Sequence, residues 1–192
     1  MISDNSSRVI TYINIRLTSL CFSLWKNVFN HGDISCISFF NCGLVYFLIK
    51  VYLDSSQMVL KYLKDTKVNI NNVLVMTGDF NMRDCSWDQD FLYYSIYKDT
   101  FIDIIDSFQL ELSEPTNRVS TRYSDNQHES NLVINLMFLR PDSLEHNNHS
   151  IYPDWCLTFD HVPLIVNISI TFKLESILWL KTVKKKTISL SI

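Results

Sequence analysis

Glycine and proline are scarce in this chain, with 3 Gly and 4 Pro among 192 residues. Few good turns are therefore available, and long strands are expected. Charged residues are also sparse at 19%, whereas 47% of the residues are hydrophobic. This composition excludes an intrinsically disordered chain. The length predicts one domain with a core large enough to fold alone.

A cysteine pattern for disulfides or zinc is missing as well. The cysteines are odd in number and scattered, and none forms a CxxC or a Cys/His zinc spacing. We expect reduced, partly buried thiols in an intracellular protein, nuclear or cytoplasmic. The first residues carry neither the basic nor the apolar stretch of a signal peptide. The cysteines are Cys21, Cys36, Cys42, Cys85 and Cys156.

An excess of positive charge is also absent, since the formal net charge is -3. Nucleic-acid-binding domains are usually basic, so charge alone argues against tight DNA binding. The lysines are unevenly spread, however, and Lys181 and Lys184-Lys185-Lys186 cluster near the end of the chain.

The longest uncharged stretch runs from Ile34 to Ile49. Its 16 residues are slightly short of a membrane span. Asn41-Cys42-Gly43 interrupts it as a turn signal, with β-branched and aromatic residues on both sides. We therefore predict two paired strands, at 34–40 and 44–52. A membrane helix over residues 34–53 is the alternative.

Hydrophobic spacing predicts the other elements. Residues 57–66 and 101–108 have helical periodicity, and Thr100 is a candidate N-cap of the second helix. Residues 132–139 and 162–170 are predicted strands. The elements interleave without a strict βαβ rhythm, and the hairpin makes a mixed sheet.

The most informative stretch is Val73–Met76, an apolar strand that runs through Gly78 into Asp79 and Asn81. In an extended segment residues i and i+2 share a face, so the acid and the amide would project the same way. Such a pair suits general base or metal chemistry beside a hydrogen-bond donor. The alternative is a strand that ends in an Asp/Asn turn.

A second motif lies about eighty residues later, where Asp160-His161 opens another apolar run. Together with Gly78–Asn81 and Asn131–Phe138, the segment Asp160–Leu164 resembles the endonuclease/exonuclease/phosphatase superfamily, and most closely the endonuclease domain of non-LTR retrotransposons. Val51-Tyr52 resembles the strand that ends in that family's active-site tyrosine. The order and spacing match over roughly residues 8–170.

This resemblance implies an α+β fold with two packed mixed β-sheets and outer helices. It also implies Mg²⁺-dependent hydrolysis of phosphodiesters or phosphomonoesters, with DNA as the partner and no membrane. Asp79 would orient or deprotonate the attacking water and help to bind the metal with Asp160. Asn81 would hydrogen-bond a phosphate oxygen, and His161 would bind the phosphoryl oxygen. Tyr52 would contact the phosphate or the leaving group.

The chain departs from the family pattern in two places that matter for chemistry. The family's metal site has a glutamate upstream of the tyrosine strand, and this chain has no Glu before Glu111. We expect the first strands of the fold to be missing. The second departure is Asn135, where the family has an aspartate that accepts the other N–H of the catalytic histidine. An amide carries no charge to stabilise imidazolium, and we expect a rate loss of about 10⁴ by analogy with the serine-protease triad. In addition, the family usually has an asparagine at the position that Lys50 occupies in this chain.

Two polar or aromatic segments leave alternatives open. Trp87, Phe91, Tyr93, Tyr94 and Tyr97 could stack on bases or pack over the sheet edge. The polar run from Ser113 to Asn131 leads to the active site in the resembled family, and otherwise reads as a solvated loop.

The predicted organisation is a domain over residues 1–171 and an appended tail over 172–192. The first functional hypothesis is a weak or inactive DNA endonuclease of retroelement origin. The second is a non-catalytic remnant that binds nucleic acid or protein. No oligomeric state is predicted.

Overall fold

The computed structural model describes residues 9, 22–24, 29–41, 44–54, 56–66, 72–114, 119–123, 131–141, 147–152, 162, 164–171 and 185–191. Nine strands and two helices lie in these residues. The order is β1 (Phe22–Leu24), β2 (Ile34–Asn41), β3 (Leu44–Tyr52), α1 (Met58–Asp65), β4 (Val73–Asp79), α2 (Lys98–Ser107), β5 (Glu111–Leu112), β6 (Asn135–Leu139), β7 (Asn147–Ile151), β8 (Leu164–Thr171) and β9 (Lys185–Ser191).

The first sheet is mixed and has the strand order β1-β2-β3-β4-β6-β5. Strands β3 and β4 run parallel, and the other pairs of this sheet are antiparallel. The parallel pair needs a crossover, which α1 supplies. The hairpin predicted at 34–52 is confirmed, because β2 and β3 pair from Ile34↔Val51 to Asn41↔Leu44.

The hairpin excludes the alternative of a membrane helix over residues 34–53. No helix among the described residues is long and apolar enough to cross a membrane. The sixteen uncharged residues are instead explained by burial on both faces of an interior strand pair. Ile37 and Phe39 of β2 and Ile49 and Val51 of β3 are all buried.

Both described helices pack on one face of the first sheet. Apolar residues of α1 and α2 form a continuous core with Ile49, Met76 and Phe138 of the sheet. The helix at Lys98–Ser107 confirms the predicted periodicity, but the prediction that Thr100 is its N-cap was wrong. The helix begins at Lys98, three residues before the predicted start, with Tyr97 at the N-cap, and no side chain caps it. Thr100 lies inside the first turn.

The opposite face of the first sheet is also buried, at residues that include Val75 and Met137. The second sheet has the order β7-β8-β9, and its described strands are antiparallel. Ile151 of β7 is buried and borders the same cavity as Met137. The architecture is an α+β sandwich with helices on the outer face of the first sheet, as the fold class predicted.

Several predicted boundaries shift or fall elsewhere. The strand predicted from residue 132 begins at Asn135, and the one predicted from 162 begins at Leu164. In the predicted tail, Lys185–Ser191 forms β9 and pairs with β8. The domain boundary at residue 171 stays a prediction.

Two of the predicted thiols lie among the described residues, and both are free. Cys36 is buried in the core of β2, and burial raises the pKa of its thiol to about 12. A thiol held in this protonated form is a poor nucleophile and metal ligand. Cys36 therefore acts as a small apolar core residue.

Gly78 is a position at which the backbones of β3 and β4 approach closely. It pairs with Val51, its φ is 156°, and a Cβ built on it would lie 1.7 Å from the carbonyl oxygen of Val51. Because this contact is with backbone, no side-chain rotation relieves it. The two strands can reach the end of their register only if residue 78 has no side chain.

We expect Gly78→Ala to lower the free energy of unfolding by about 3 kcal/mol or more, because the methyl group forces the strands apart. Chemical denaturation would measure the loss, with Ser23→Ala at an exposed strand position as the control. Equal stability of Gly78→Ala and wild type would show that β3 and β4 do not approach each other in this way.

Candidate active site at the end of the first sheet

Three of the residues predicted for the site lie in one row across three neighbouring strands. Tyr52 of β3 pairs with Asp79 of β4, and Asp79 pairs with Asn135 of β6. Directly paired residues project from the same face of a sheet, and neighbouring strands are about 4.8 Å apart. All three residues are partly exposed. The structure therefore brings a phenol, a carboxylate and an amide together at the carboxyl ends of β3 and β4.

The turn after β4 is fixed by a buried phenylalanine. Phe80 has no exposed surface, and its ring centroid lies 4.9 Å from that of Phe101 and 5.7 Å from that of Phe138. Its backbone N–H donates to the carbonyl of Ile134 at 2.9 Å. Anchoring Phe80 in the core holds Asp79 and Asn81, its two neighbours, at the rim of the sheet.

Asn81 joins this turn to the end of β3. Its φ of 43° is left-handed, a conformation that Asn tolerates better than most residues. Its backbone N–H donates to Asp79 Oδ1 at 2.9 Å, and its Nδ2 donates to the carbonyl of Leu53 at 2.7 Å. The N–H of Leu53 donates in turn to the carbonyl of Asp79 at 2.8 Å. Leu53, Asp79 and Asn81 thus belong to one hydrogen-bonded unit, and Leu53 directly follows Tyr52 in the chain.

Thr121 is a residue of this site whose role sequence reasoning missed. It is 1% exposed, and its hydroxyl accepts the backbone N–H groups of Ile134 and Asn135, each at 2.9 Å. Its carbonyl accepts Nδ2 of Asn135 at 3.4 Å. Thr121 therefore fixes both the start of β6 and the orientation of the Asn135 amide. The sequence placed it only within a polar run, and no local signal shows these bonds across 13 and 14 residues.

Asp160 and His161 lie outside the described residues, so their predicted roles stay predictions. The next residue, Val162, is described and buried. Its N–H donates to the carbonyl of Thr121 at 2.8 Å, the same carbonyl that accepts the Asn135 amide. Thr121 thus connects the strand that bears Asn135 to the residue that follows the Asp-His motif.

One cation, the Lys50 ammonium, lies on the same face of the first sheet as the row, at the next pair inward on that face. Lys50 of β3 pairs with Thr77 of β4, and both precede the Tyr52–Asp79 pair by two residues. Burial lowers the pKa of the Lys50 ammonium below its ordinary value of 10.5. A lysine here brings positive charge to a part of the sheet where the resembled family has an amide.

The described donors suit a hard cation by type. Asp79, Asn81 and Asn135 offer carboxylate and amide oxygens, which Mg²⁺ prefers to nitrogen or sulfur. Their number is small, and no three His, Cys, Asp or Glu side chains of the described part form a group that could hold a metal ion. Among the described residues predicted for the site, Asp79 supplies the one carboxylate.

A cavity of about 290 Å³ adjoins the row at Asn135. The start of β6 and Thr121 line one side, and Trp87 and Asp88 line another. The cavity joins the row to the loop over residues 82–97, which follows the Asp79–Asn81 turn directly.

That loop is organised around a buried carboxylate, Asp84, which has no exposed surface. Its Oδ1 accepts the N–H of Ser86 at 2.9 Å and pairs with Lys98 Nζ at 3.1 Å. Its Oδ2 accepts the N–H of Ser95 at 2.9 Å. Burial alone would raise the pKa of Asp84, but the bonds from Ser86, Ser95 and Lys98 outweigh it and hold the pKa below 3.8.

The aromatic side chains of the loop divide into two groups, one packed inward and one exposed. Trp87 and Phe91 are partly buried, and Trp87 packs edge-on against Phe101 of α2 with centroids 6.1 Å apart. Tyr93 and Tyr94 are each 71% exposed, and Tyr97 is 41% exposed. The tryptophan packs inward, and the tyrosines face solvent.

The polar run from Ser113 to Asn131 is described in part. Arg122 is partly buried and forms an isolated backbone bridge with Leu132. Arg118 and Thr116 lie outside the described residues. The described part of this run is therefore more than a solvated loop, since Thr121 and Arg122 tie it to the strand that carries Asn135.

Comparison with known proteins decides the family. The family described as endonuclease-reverse transcriptase matches residues 46–165, which include the row, Asn81 and the Asp160-His161 pair. The chain belongs to this family. It is of the endonuclease/exonuclease/phosphatase type, as the motifs predicted.

Solved structures agree at the level of the fold. The endonuclease domain of TRAS1, a telomere-specific non-LTR retrotransposon, matches with a TM-score of 0.60 and 14% identity, over 77% of this chain and 66% of that domain. The chain thus spans a little under two thirds of it. The crystal structure of SmcL matches with a TM-score of 0.38 and 12% identity, over 84% of this chain and 55% of that one, and this score is too low to indicate a shared fold. No curated protein matches the sequence.

We expect Thr121→Val to lower the free energy of unfolding by about 2–4 kcal/mol, because it removes the acceptor of the buried Ile134 N–H and the partly buried Asn135 N–H while keeping the shape of the side chain. Thr121→Ser keeps the hydroxyl and should retain most of this stability. Urea denaturation measures both variants. A loss in the Ser variant with none in the Val variant would mean that packing of the methyl group, and not the hydroxyl, holds this site.

We expect Asp84→Asn to destabilise the protein by about 3 kcal/mol near neutral pH, since it leaves the Lys98 ammonium without its buried partner. Because the folded pKa lies below the ordinary value of 3.8, the carboxylate contributes fully above that pH. The contribution is lost as the pH falls through the folded pKa. Denaturation between pH 7 and pH 2 should show the two proteins converging in acid, whereas exposed Asp99→Asn should track wild type throughout. A constant difference would contradict this linkage.

Proposed function

We propose that this chain is a DNA endonuclease-type phosphodiesterase of retroelement origin whose chemistry is weakened at one position. The observation that carries the proposal is the Tyr52–Asp79–Asn135 row, which places three predicted side chains side by side on one sheet. The family supports a nuclease-type activity. The TRAS1 endonuclease domain supports the fold.

The described residues can divide the work of hydrolysis among them. Asp79 orients the attacking water and accepts its proton, while its Oδ1 is held by the N–H of Asn81. The amide of Asn81 has a second N–H beside the one given to Leu53, and that N–H can donate to a phosphate oxygen. Tyr52, one strand away from Asp79, contacts the phosphate or the leaving oxygen.

His161 is the proposed partner for the charge on the phosphoryl group. An imidazolium N–H stabilises a developing negative charge best when the other ring N–H has a fixed acceptor. Asn135 can supply that acceptor, because its NH₂ group is directed to the carbonyl of Thr121. The side-chain oxygen of Asn135 is then turned away from Thr121. The bond to Thr121 at Val162 supports placing the Asp-His motif near this amide.

Asn135 preserves a hydrogen bond in this scheme but does not preserve a charge. A neutral acceptor leaves the imidazolium without electrostatic compensation, and the comparable change in the serine-protease triad costs about 10⁴ in rate. This is equivalent to about 5 kcal/mol of barrier. We infer weak turnover for this reason.

Asp79 and Asp160 are the residues that would hold Mg²⁺. When bound, the ion supplies positive charge that stabilises the pentacoordinate phosphorus. Two carboxylates are a small set for a cation that prefers octahedral oxygen coordination. Weak metal affinity is a second reason to expect slow hydrolysis.

A non-catalytic role is the second candidate function. Asn135 favours it, since an amide there removes a charge that the family uses. In that case the chain binds nucleic acid or protein through surfaces other than the row. The net charge of -3 disfavours tight binding to phosphate backbones.

Asn135→Asp distinguishes the two functions. We expect it to raise the rate of supercoiled plasmid nicking in Mg²⁺ by roughly 10²–10⁴-fold, because it restores the charge beside the histidine. Asn30→Asp makes the same change at an exposed position and should leave the rate unchanged. EDTA, Asp79→Ala and His161→Ala should each abolish the nicking.

The endonuclease proposal would be overturned if Asn135→Asp nicks plasmid no faster than Asp79→Ala while its circular dichroism spectrum is unchanged. Nicking that survives His161→Ala would instead point to a contaminating nuclease or to a different active site.

A further inference from the structure

A cluster of apolar and aromatic side chains stands exposed at the tip of the loop over residues 82–97. Leu92 is 83% exposed and Ile96 is 87% exposed, with Tyr93 and Tyr94 at 71% between them. Single exposed apolar residues are ordinary, but contiguous groups mark interaction surfaces. We call this group the tyrosine patch, and it consists of Leu92, Tyr93, Tyr94, Ile96 and Tyr97.

The backbone beneath the tyrosine patch is held in place. The N–H of Ser95 donates to buried Asp84, and the N–H of Cys85 donates to the carbonyl of Tyr93 at 3.3 Å. The ammonium of Lys98 lies 4.4 Å from the centre of the Tyr94 ring. A surface ordered before binding loses little entropy when a partner arrives, and tyrosine is among the residues that dominate protein interfaces.

The charges around the tyrosine patch are unbalanced. Residues 82–99 contain four Asp and two cations, a net charge of -2. Both cations are occupied within the loop, since Arg83 pairs with Asp88 at 3.1 Å and Lys98 pairs with Asp84 at 3.1 Å. The remaining carboxylates, Asp90 and Asp99, are exposed and flank the patch on either side in the sequence.

This charge pattern selects among the classes of partner. Single-stranded nucleic acid binds where aromatic residues stand in a positive groove, and here the flanking carboxylates would face phosphates. Anionic membranes are disfavoured for the same reason. Two copies of the chain joined patch to patch would bring Asp90 and Asp99 of each copy together. A protein surface with cations around an apolar centre meets none of these penalties.

We propose that the tyrosine patch is a docking surface for a protein partner whose contact face is apolar at its centre and carries Lys or Arg at its rim. The proposal does not depend on catalysis, because none of the five patch residues belongs to the row or to the Asn81 turn. Leu92 and Ile96 supply apolar contact, the tyrosines supply rigid area, and Asp90 and Asp99 supply orientation.

The test uses the full chain and two matched amphipathic helical peptides, one of Leu and Lys and one of Leu and Glu, with fluorescence anisotropy as the readout. We expect the Lys peptide to bind at least tenfold more tightly than the Glu peptide. Leu92→Ser and Ile96→Ser should each weaken that binding at least tenfold. The double variant Asp90→Lys/Asp99→Lys should reverse the preference for the two peptides.

Met58→Ser is the matched control, since Met58 is 59% exposed on α1 and lies outside the patch. Equal binding of both peptides, or binding that Leu92→Ser leaves unchanged, would overturn the proposal. Two further results would also overturn it in its present form: an oligonucleotide bound by wild type and lost in Leu92→Ser, or a dimer in sedimentation that Leu92→Ser dissociates. The thermal midpoint of each variant should match wild type, because the substituted side chains are exposed.

Discussion

The close approach of β3 and β4 at Gly78 is the constraint on which the candidate site depends. A side chain at residue 78 would collide with the carbonyl of Val51, one residue before the Tyr52–Asp79 pair. Without this approach the last pair of the parallel register could not form. The absence of a side chain at Gly78 therefore sets how closely the strand ends that carry the Tyr52 phenol and the Asp79 carboxylate can approach each other.

The hydrophobic core also positions the polar residues at the rim of the sheet. Phe80 is fully buried among Phe101 and Phe138, although both of its sequence neighbours are polar. Aromatic pairs of this kind each contribute about 0.5–1.5 kcal/mol beyond the burial of their area. Because the ring is held by α2 and β6 together, Asp79 and Asn81 are positioned by packing behind the sheet. The side chains that would meet a substrate need no large stabilising interaction of their own.

Local pattern was sufficient for β2, β3 and β4 of the first sheet and for both helices. The hairpin at β2 and β3 follows from an uncharged run broken by a turn signal, whereas the register that pairs Tyr52 with Asp79 is set by the parallel sheet and has no local signal. The role of Thr121 could not be found in this way. Its hydroxyl has value only because Ile134 and Asn135 arrive from another part of the chain. The prediction of an N-cap at Thr100 was wrong for a related reason. The ion pair between Asp84 and Lys98 and the bond from the Ser95 N–H to Asp84 bring the start of α2 forward to Lys98.

The same distinction between geometry and charge runs through the site and the loop. At Asn135 the side-chain amide bonds to the carbonyl of Thr121, and the residue is paired with Asp79 of β4, while the charge expected by the family is absent. In the loop, the cations that could have met a phosphate are paired with Asp84 and Asp88. Packing and hydrogen bonds stabilise a fold, with about 0.5–1.5 kcal/mol from a typical hydrogen bond, whereas catalysis of phosphoryl transfer depends on uncompensated charge placed where negative charge develops. A chain that keeps its hydrogen bonds and packing but has less uncompensated charge retains its architecture. Its exposed, ordered surfaces can then serve other contacts.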